Sequence, residues 1–248
     1  MGHSYGAIST DGKNWERINL PAQVGGRAIT YGDNTFIATG NGSATCLYST
    51  NNGSSWASVN APASLYYTIY GNGVWVGYGY PTAKGAYSTN NGRSWTAFSF
   101  PKSCHWVHGA YGNGRFVVTV FNSKEIAYSS NGVSWTMATV APDWGGSLGV
   151  AFGDNSFYLI DPSSNRIARS TDGATWTVES SLPAYTPARM VMGYGDETFI
   201  GLGYNNRTIG LTTAGTREEI IWNDCWQRFD TTPVGASATF TLGDLPRN

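Results

Sequence analysis

Charge is the scarcest ingredient of this 248-residue chain. Asp, Glu, Lys and Arg make up 12% of it, 15 basic against 16 acidic side chains, for a net charge of −1. A nearly neutral chain offers phosphates no basic stripe, so nucleic acid is not an expected partner. Cysteine is equally sparse. Cys46, Cys104 and Cys225 are odd in number and far apart, which implies no disulfide framework and leaves them to pack as small apolar residues. Long hydrophobic runs are missing too: no segment approaches the roughly 20 apolar residues that span a bilayer, and Met1–Leu20 holds no signal-type apolar core. The expectation is a soluble protein without membrane insertion and without a visible secretion signal.

What the chain has in abundance is glycine (32), tryptophan (10) and tyrosine (15). Many tight turns joining short aromatic strands produce that composition; helices do not. The order of these residues says more. The stretch Ser88-Thr89-Asn90-Asn91-Gly92-Arg93-Ser94-Trp95 recurs at 9–15, 49–56, 129–135 and 170–176, so that Trp15, Trp56, Trp95, Trp135 and Trp176 stand 41, 39, 40 and 41 residues apart. In phase with it run Tyr31-Gly32-Asp33, Tyr70-Gly71-Asn72, Tyr111-Gly112-Asn113, Phe152-Gly153-Asp154 and Tyr194-Gly195-Asp196, each with Phe or Trp three residues on.

One unit, Cys104–Val140, reads as four antiparallel strands A to D. These are a strand at 106–111, a Gly112-Asn113-Gly114 turn, the β-rich run Arg115–Phe121, the strand Glu125–Ser129, a turn, and Trp135–Val140. A four-stranded meander repeated about every 40 residues predicts an all-β fold, a single β-propeller. Complete units are expected at about 27–60, 65–100, 104–140, 147–180 and 189–222, behind a half unit, Tyr5–Ser9 and Trp15–Asn19, that supplies only strands C and D. Unpaired strand edges are a liability, and Asp224–Phe229 with Ala238–Leu242 offer strands A and B to complete that half unit. Six blades are therefore expected, with five as the alternative. Residues 1–222 form the propeller, and 223–248 either complete the last blade or act as an assembly arm.

The recurrent Ser-x-(Asp/Asn)…Gly-x-(Ser/Thr)-Trp resembles the Asp-box, or BNR repeat, of sialidase-like propellers. Asp11 and Asp172 keep the acid; Asn51, Asn90 and Asn131 keep its acceptor oxygen. These side chains are expected to bind backbone N–H groups of their own turns, with the five tryptophans packed between blades, so their role is structural. The combined unit is also similar in style to propeller repeats of bacteriophage virion proteins, tail and receptor-binding components among them.

In such a blade the A–B and C–D turns share one rim, and the B–C and D–A connections form the other. The copies diverge in the second set, where function is expected. Arg27, Tyr66, Tyr67, Tyr80, Trp106, Trp144, Tyr185 and Arg189 fall there and are the ligand-binding candidates. Ring faces flanked by Arg, Asn and Asp suit a sugar. His105 and His108, three apart on a strand, should point to opposite faces, so no metal is expected, and no cofactor.

No catalytic residue is assigned. Glu125, Asp143 and Asp161 are the carboxylates nearest this rim, and nothing sets two of them at the glycosidase separations of about 5 or 6.5–9.5 Å. The expected function is that of a non-enzymatic virion structural or adhesion protein whose loop rim binds a surface glycan or another virion protein, within a symmetric oligomeric assembly. The alternatives are a sialidase-like glycoside hydrolase and a purely architectural or decoration protein. Against the hydrolase, Arg17-Ile18-Asn19 stands where Arg-Ile-Pro belongs. The expected location is the virion, or otherwise a bacterial cell surface.

Overall fold

The structure is a computed structural model that describes residues 4–146, 149–161, 166–181, 190–195, 198–203, 207–212 and 217–221, with side chains described to 178. An N-terminal hairpin pairs β1 (Ser4–Ile8) with β2 (Glu16–Leu20). The first four-stranded sheet holds β3 (Gly26–Gly32), β4 (Thr35–Gly40), β5 (Thr45–Ser49) and β6 (Ala57–Asn60). The second holds β7 (Tyr67–Gly71), β8 (Val74–Tyr78), β9 (Thr82–Ser88) and β10 (Thr96–Cys104). The third holds β11 (Trp106–Gly112), β12 (Arg115–Val120), β13 (Glu125–Ser129) and β14 (Thr136–Thr139). The fourth holds β15 (Gly149–Gly153), β16 (Ser156–Asp161), β17 (Arg166–Ser170) and β18 (Thr177–Ser181), and the fifth β19 (Met190–Gly195), β20 (Thr198–Gly203), β21 (Arg207–Thr212) and β22 (Arg217–Ile221). All pairings are antiparallel between chain neighbours, and the first strands of successive sheets lie side by side from β3 to β19.

The expected all-β architecture therefore holds, and the four-stranded sheets follow the expected units except that the second runs on to Cys104. Among the described residues β1 pairs with β2 alone. Asp224–Phe229 and Ala238–Leu242, on which a sixth blade depends, lie outside the described residues, as does Cys225. Cys46 is buried, and burial pushes its thiol up to about 12.

The two sequence motifs interlock neighbouring sheets. A Cβ added to Gly71 would stand 2.1 Å from the Tyr111 ring, and one added to Gly112 would stand 2.1 Å from the Phe152 ring. Tyr70, Tyr111 and Phe152 thus each lie against the glycine of the preceding A–B turn, which is why the two residues recur as a pair. The C–D turns form the second half of the joint. Gly132 (φ 74°) has a left-handed backbone, and a Cβ there would meet Val76 of the preceding sheet at 2.7 Å. Beside it Trp135 stacks on Phe98, with centroids 5.9 Å apart, and contacts Phe100 at 4.8 Å, both residues on β10 of that preceding sheet.

Within these turns the acid or amide is saturated. Asn131 Oδ1 accepts the Val133 and Ser134 amides at 2.9 and 2.8 Å; Asp172 Oδ1 accepts those of Ala174 and Thr175 at 2.8 Å each; Asp11 Oδ1 accepts those of Lys13 and Asn14 at 2.8 and 2.7 Å. Two turns carry one residue more. That residue, Asn52 or Asn91, takes φ 56°, and the side chains of Asn51 and Asn90 each accept one turn amide, of Ser55 or Ser94, at 3.0 Å, beside the Ser49 or Ser88 hydroxyl at 2.9 Å. The indoles of Trp56, Trp95 and Trp135 each donate to the carbonyl of their own turn's glycine. Trp176 Nε1 is buried with no partner among the described residues.

An acid limb follows. The Asn14 and Lys13 amides hold the Asp11 carboxyl well below the usual carboxylate range. Burial alone would raise Asp172, but the Thr175 and Ala174 amides with the Ser170 and Thr175 hydroxyls bring it down. A carboxyl lowered on folding contributes stability above its unfolded pKa, near 3.9, and that contribution is lost as pH falls through the folded value. The double variant Asp11→Asn/Asp172→Asn is expected to flatten the fall of melting temperature below about pH 4 by lowering the pH 7 value modestly toward the acid value, which the substitutions leave nearly unchanged.

Candidate functional site

Two observations fix the rims. Asn91 of one C–D turn donates to Asp33 of the preceding sheet's A–B turn at 2.9 Å, and Asn113 of an A–B turn reaches the Asn155 and Thr171 carbonyls of the next sheet's two turns. The A–B and C–D turns therefore share a rim, and its polar side chains bind one another.

On the opposite rim the divergent connections of three sheets bring side chains together. Arg27, entering β3, donates from Nε to Tyr67 Oη at 3.0 Å, and its guanidinium lies 5.2 and 5.5 Å from the centroids of the Tyr67 and Tyr66 rings. Tyr66 meets Tyr80 edge-on at 5.6 Å; Tyr80 stacks on His105 at 3.7 Å; His105 contacts Phe121 at 5.0 Å. The four rings form an unbroken band across two sheets. Its members Tyr80 and Phe121 are 42% and 41% exposed, against a rule of burial for large aromatics.

His108 borders the band from β11, its ring 5.8 Å from Tyr67. His105 precedes β11 and His108 lies within it, where the register shifts between Trp106 and Gly109, and the Arg27 charge reaches both imidazoles. Burial first, then Arg27, lowers His105 below its ordinary value and pushes His108 down to about 4. Both imidazoles are neutral at pH 7. Among the described residues no group of three or more His, Cys, Asp or Glu is placed to hold a metal ion, and no helix is long and apolar enough to cross a membrane.

Of the residues expected to bind, Arg27, Tyr66, Tyr67 and Tyr80 come together. Trp106 and Trp144 are corrected. Strand β10 runs on to Cys104, so Trp106 opens β11 directly, fully buried, stacked on Phe100 at 4.2 Å with its indole donating to the Thr82 carbonyl. Trp144 is 3% exposed and packs in the core with Val150, Phe157 and Leu159. Both rings serve packing. Tyr185 and Arg189 lie outside the described residues. His105, His108 and Phe121 complete the cluster, although the repeat does not mark them as binders; Phe121 has a signal, standing where a short B–C connection leaves its strand end on the rim.

The three carboxylates are engaged. Glu125 pairs with Lys102 at 2.6 Å, Asp143 with Arg166 at 2.7 Å, and Asp161, buried, accepts the Gly145 amide at 2.8 Å.

No protein-family model matches the chain. No curated protein matches it in sequence. Solved structures do match in fold. Virginiamycin B lyase from Staphylococcus aureus superposes with a TM-score of 0.74 at 16% identity, over 89% of this chain and 78% of that one. A streptogramin B lyase does so with 0.67 at 16%, over 81% and 70%. YCF48 from Cyanidioschyzon merolae gives 0.60 at 16%, over 85% and 77%. These are multi-blade β-propellers of four-stranded antiparallel sheets, and at such identity the likeness carries the architecture alone. It also corrects the expectation that the chain is not an enzyme. Lyases share this scaffold, so a missing glycosidase carboxylate pair is no argument against catalysis of another kind.

Proposed function

We propose that this chain is a recognition propeller whose loop rim binds a surface glycan, in a bacteriophage tail or adhesion apparatus. The observation that carries the reading is the band Tyr66–Tyr80–His105–Phe121, with two large rings left open to solvent beside Arg27. Sugar C–H faces stack on such rings, and a fixed guanidinium with neutral imidazoles supplies directed hydrogen bonds for hydroxyls. The opposite rim, saturated by its own turns, is left to hold the sheets together in Asp-box manner. The virion setting rests on the style of the repeat.

A glycan array probed with the purified chain tests this. Signal on a defined set of glycans is expected to fall at least about tenfold, roughly 1.4 kcal/mol, in Tyr80→Ala, while the melting temperature holds because Tyr80 is exposed. A signal untouched by Tyr80→Ala and Phe121→Ala would remove the rim from the account.

A further inference from the structure

Within that reading, we infer that Arg27 holds an anionic group, a carboxylate or sulfate, carried by the ligand. The guanidinium uses Nε on Tyr67 Oη, which fixes the plane of the fork, and no hydrogen bond or ion pair to a carboxylate engages its two terminal nitrogens among the described residues. A guanidinium held this way presents a pair of parallel donors matched to the oxygens of a carboxylate or sulfate.

The surroundings favour the same charge. Facing Arg27 are Tyr66 and Tyr67 from the connection into β7, and His105 and His108 from the start of β11; none of these supplies a negative charge at neutral pH. Every described ion pair of the molecule lies elsewhere, on Lys102–Glu125 and on Arg166 with Asp143 and Asp161. One cation is thus oriented at the end of the exposed aromatic band with its counter-charge missing, and a ligand that stacks on Tyr80 while extending an anion toward Arg27 satisfies both.

The histidines report occupancy. An anion beside Arg27 offsets the charge that depresses them, so their pKa values rise on binding. Binding therefore takes up protons, and affinity strengthens as pH falls into the range, below the ordinary histidine value, where these two imidazoles titrate. The ring neighbours of His105 are Tyr80 and Phe121, and that of His108 is Tyr67, so Arg27 is the one permanent charge placed against either.

The test is an NMR titration of the imidazoles in sodium sulfate against sodium chloride at equal ionic strength. Sulfate is expected to raise the His105 and His108 midpoints by at least about half a unit in the wild-type chain, to do so partly in Arg27→Lys, and not at all in Arg27→Gln. Equal midpoints in the two salts, or a sulfate shift surviving in Arg27→Gln, overturns the assignment. On the glycan array, uronate-bearing and sulfated glycans are expected to outrank their neutral counterparts, and which of the two leads identifies the anion. The two readings fail separately: array signal confined to neutral glycans with no sulfate effect removes the anion site and leaves the rim, while a sulfate shift with no Tyr80-dependent array signal leaves the anion site and removes the glycan.

Discussion

Trp135→Ala is expected to cost about 3–5 kcal/mol, the range for deleting a buried Trp or Phe from a core. Trp135 is 8% exposed, stacks on Phe98, contacts Phe100, and donates from Nε1 to the Gly132 carbonyl at 3.2 Å. Removing the ring opens a gap between the second and third sheets that the two phenylalanines, fixed on β10, do not refill. Trp15 is the control, because it holds the same motif position and is 63% exposed, with no described sheet preceding its own. Trp15→Ala is expected to stay within about 0.5 kcal/mol. Denaturant unfolding of the two variants checks the pair. Equal costs would mean that the indole serves its own turn, not the seam between sheets.

The contrast between the two tryptophans shows how far the repeat alone carries. Spacing near forty residues with two motifs in phase is enough for the strand number, the antiparallel order and the division into rims, because each follows from connectivity. The motif also indicates that the Asp and Asn side chains serve their own turns, since the acceptors sit two to four residues from the amides they bind. What stays dark in the sequence is whatever depends on a neighbouring unit. Trp106 looks like a loop aromatic only if β10 stops where the repeat suggests, whereas Trp144 does lie in the connection between β14 and β15 and is buried there. In the third unit's approach, β10 runs through Pro101 to Cys104, and the expected loop disappears into a strand. The site's histidines are hidden for a related reason, since their ring neighbours Tyr80, Phe121 and Tyr67 come from other strands and connections that the repeat does not place beside them. Burial of a ring at a rim is a three-body matter among sheets, and a single repeat does not contain it.

The glycines of the A–B turns give the second large effect. Gly112→Ala is expected to lower stability by about 2–3 kcal/mol, toward the upper end for overpacking, because the new methyl would fall 2.1 Å from Cγ and Cδ2 of Phe152. For a chain of this size that is a melting temperature lower by roughly 5–10 °C. The backbone is not the cause, since Gly112 is not in the left-handed region. Two residues on, Gly114 has φ 72° and nothing within 4 Å of an added methyl, so Gly114→Ala meets only the strain of an L side chain in the left-handed region, about 1 kcal/mol. Phe152 in turn packs on Phe157 at 4.8 Å, so Phe152→Ala is costly by itself. If the ring and the glycine are one joint, the double variant Gly112→Ala/Phe152→Ala is less destabilised than the sum of the singles by at least about 1 kcal/mol, because the methyl then occupies space the ring has left. Additive losses would mean that the third and fourth sheets shift apart freely and that the aromatic–glycine contact does not set their spacing. A favourable coupling fixes the spacing at that contact, and by the same geometry at Gly71 and Tyr111, so that the opposite rim inherits its separation of loops, and hence the reach from Arg27 to Phe121, from turns that never touch the ligand.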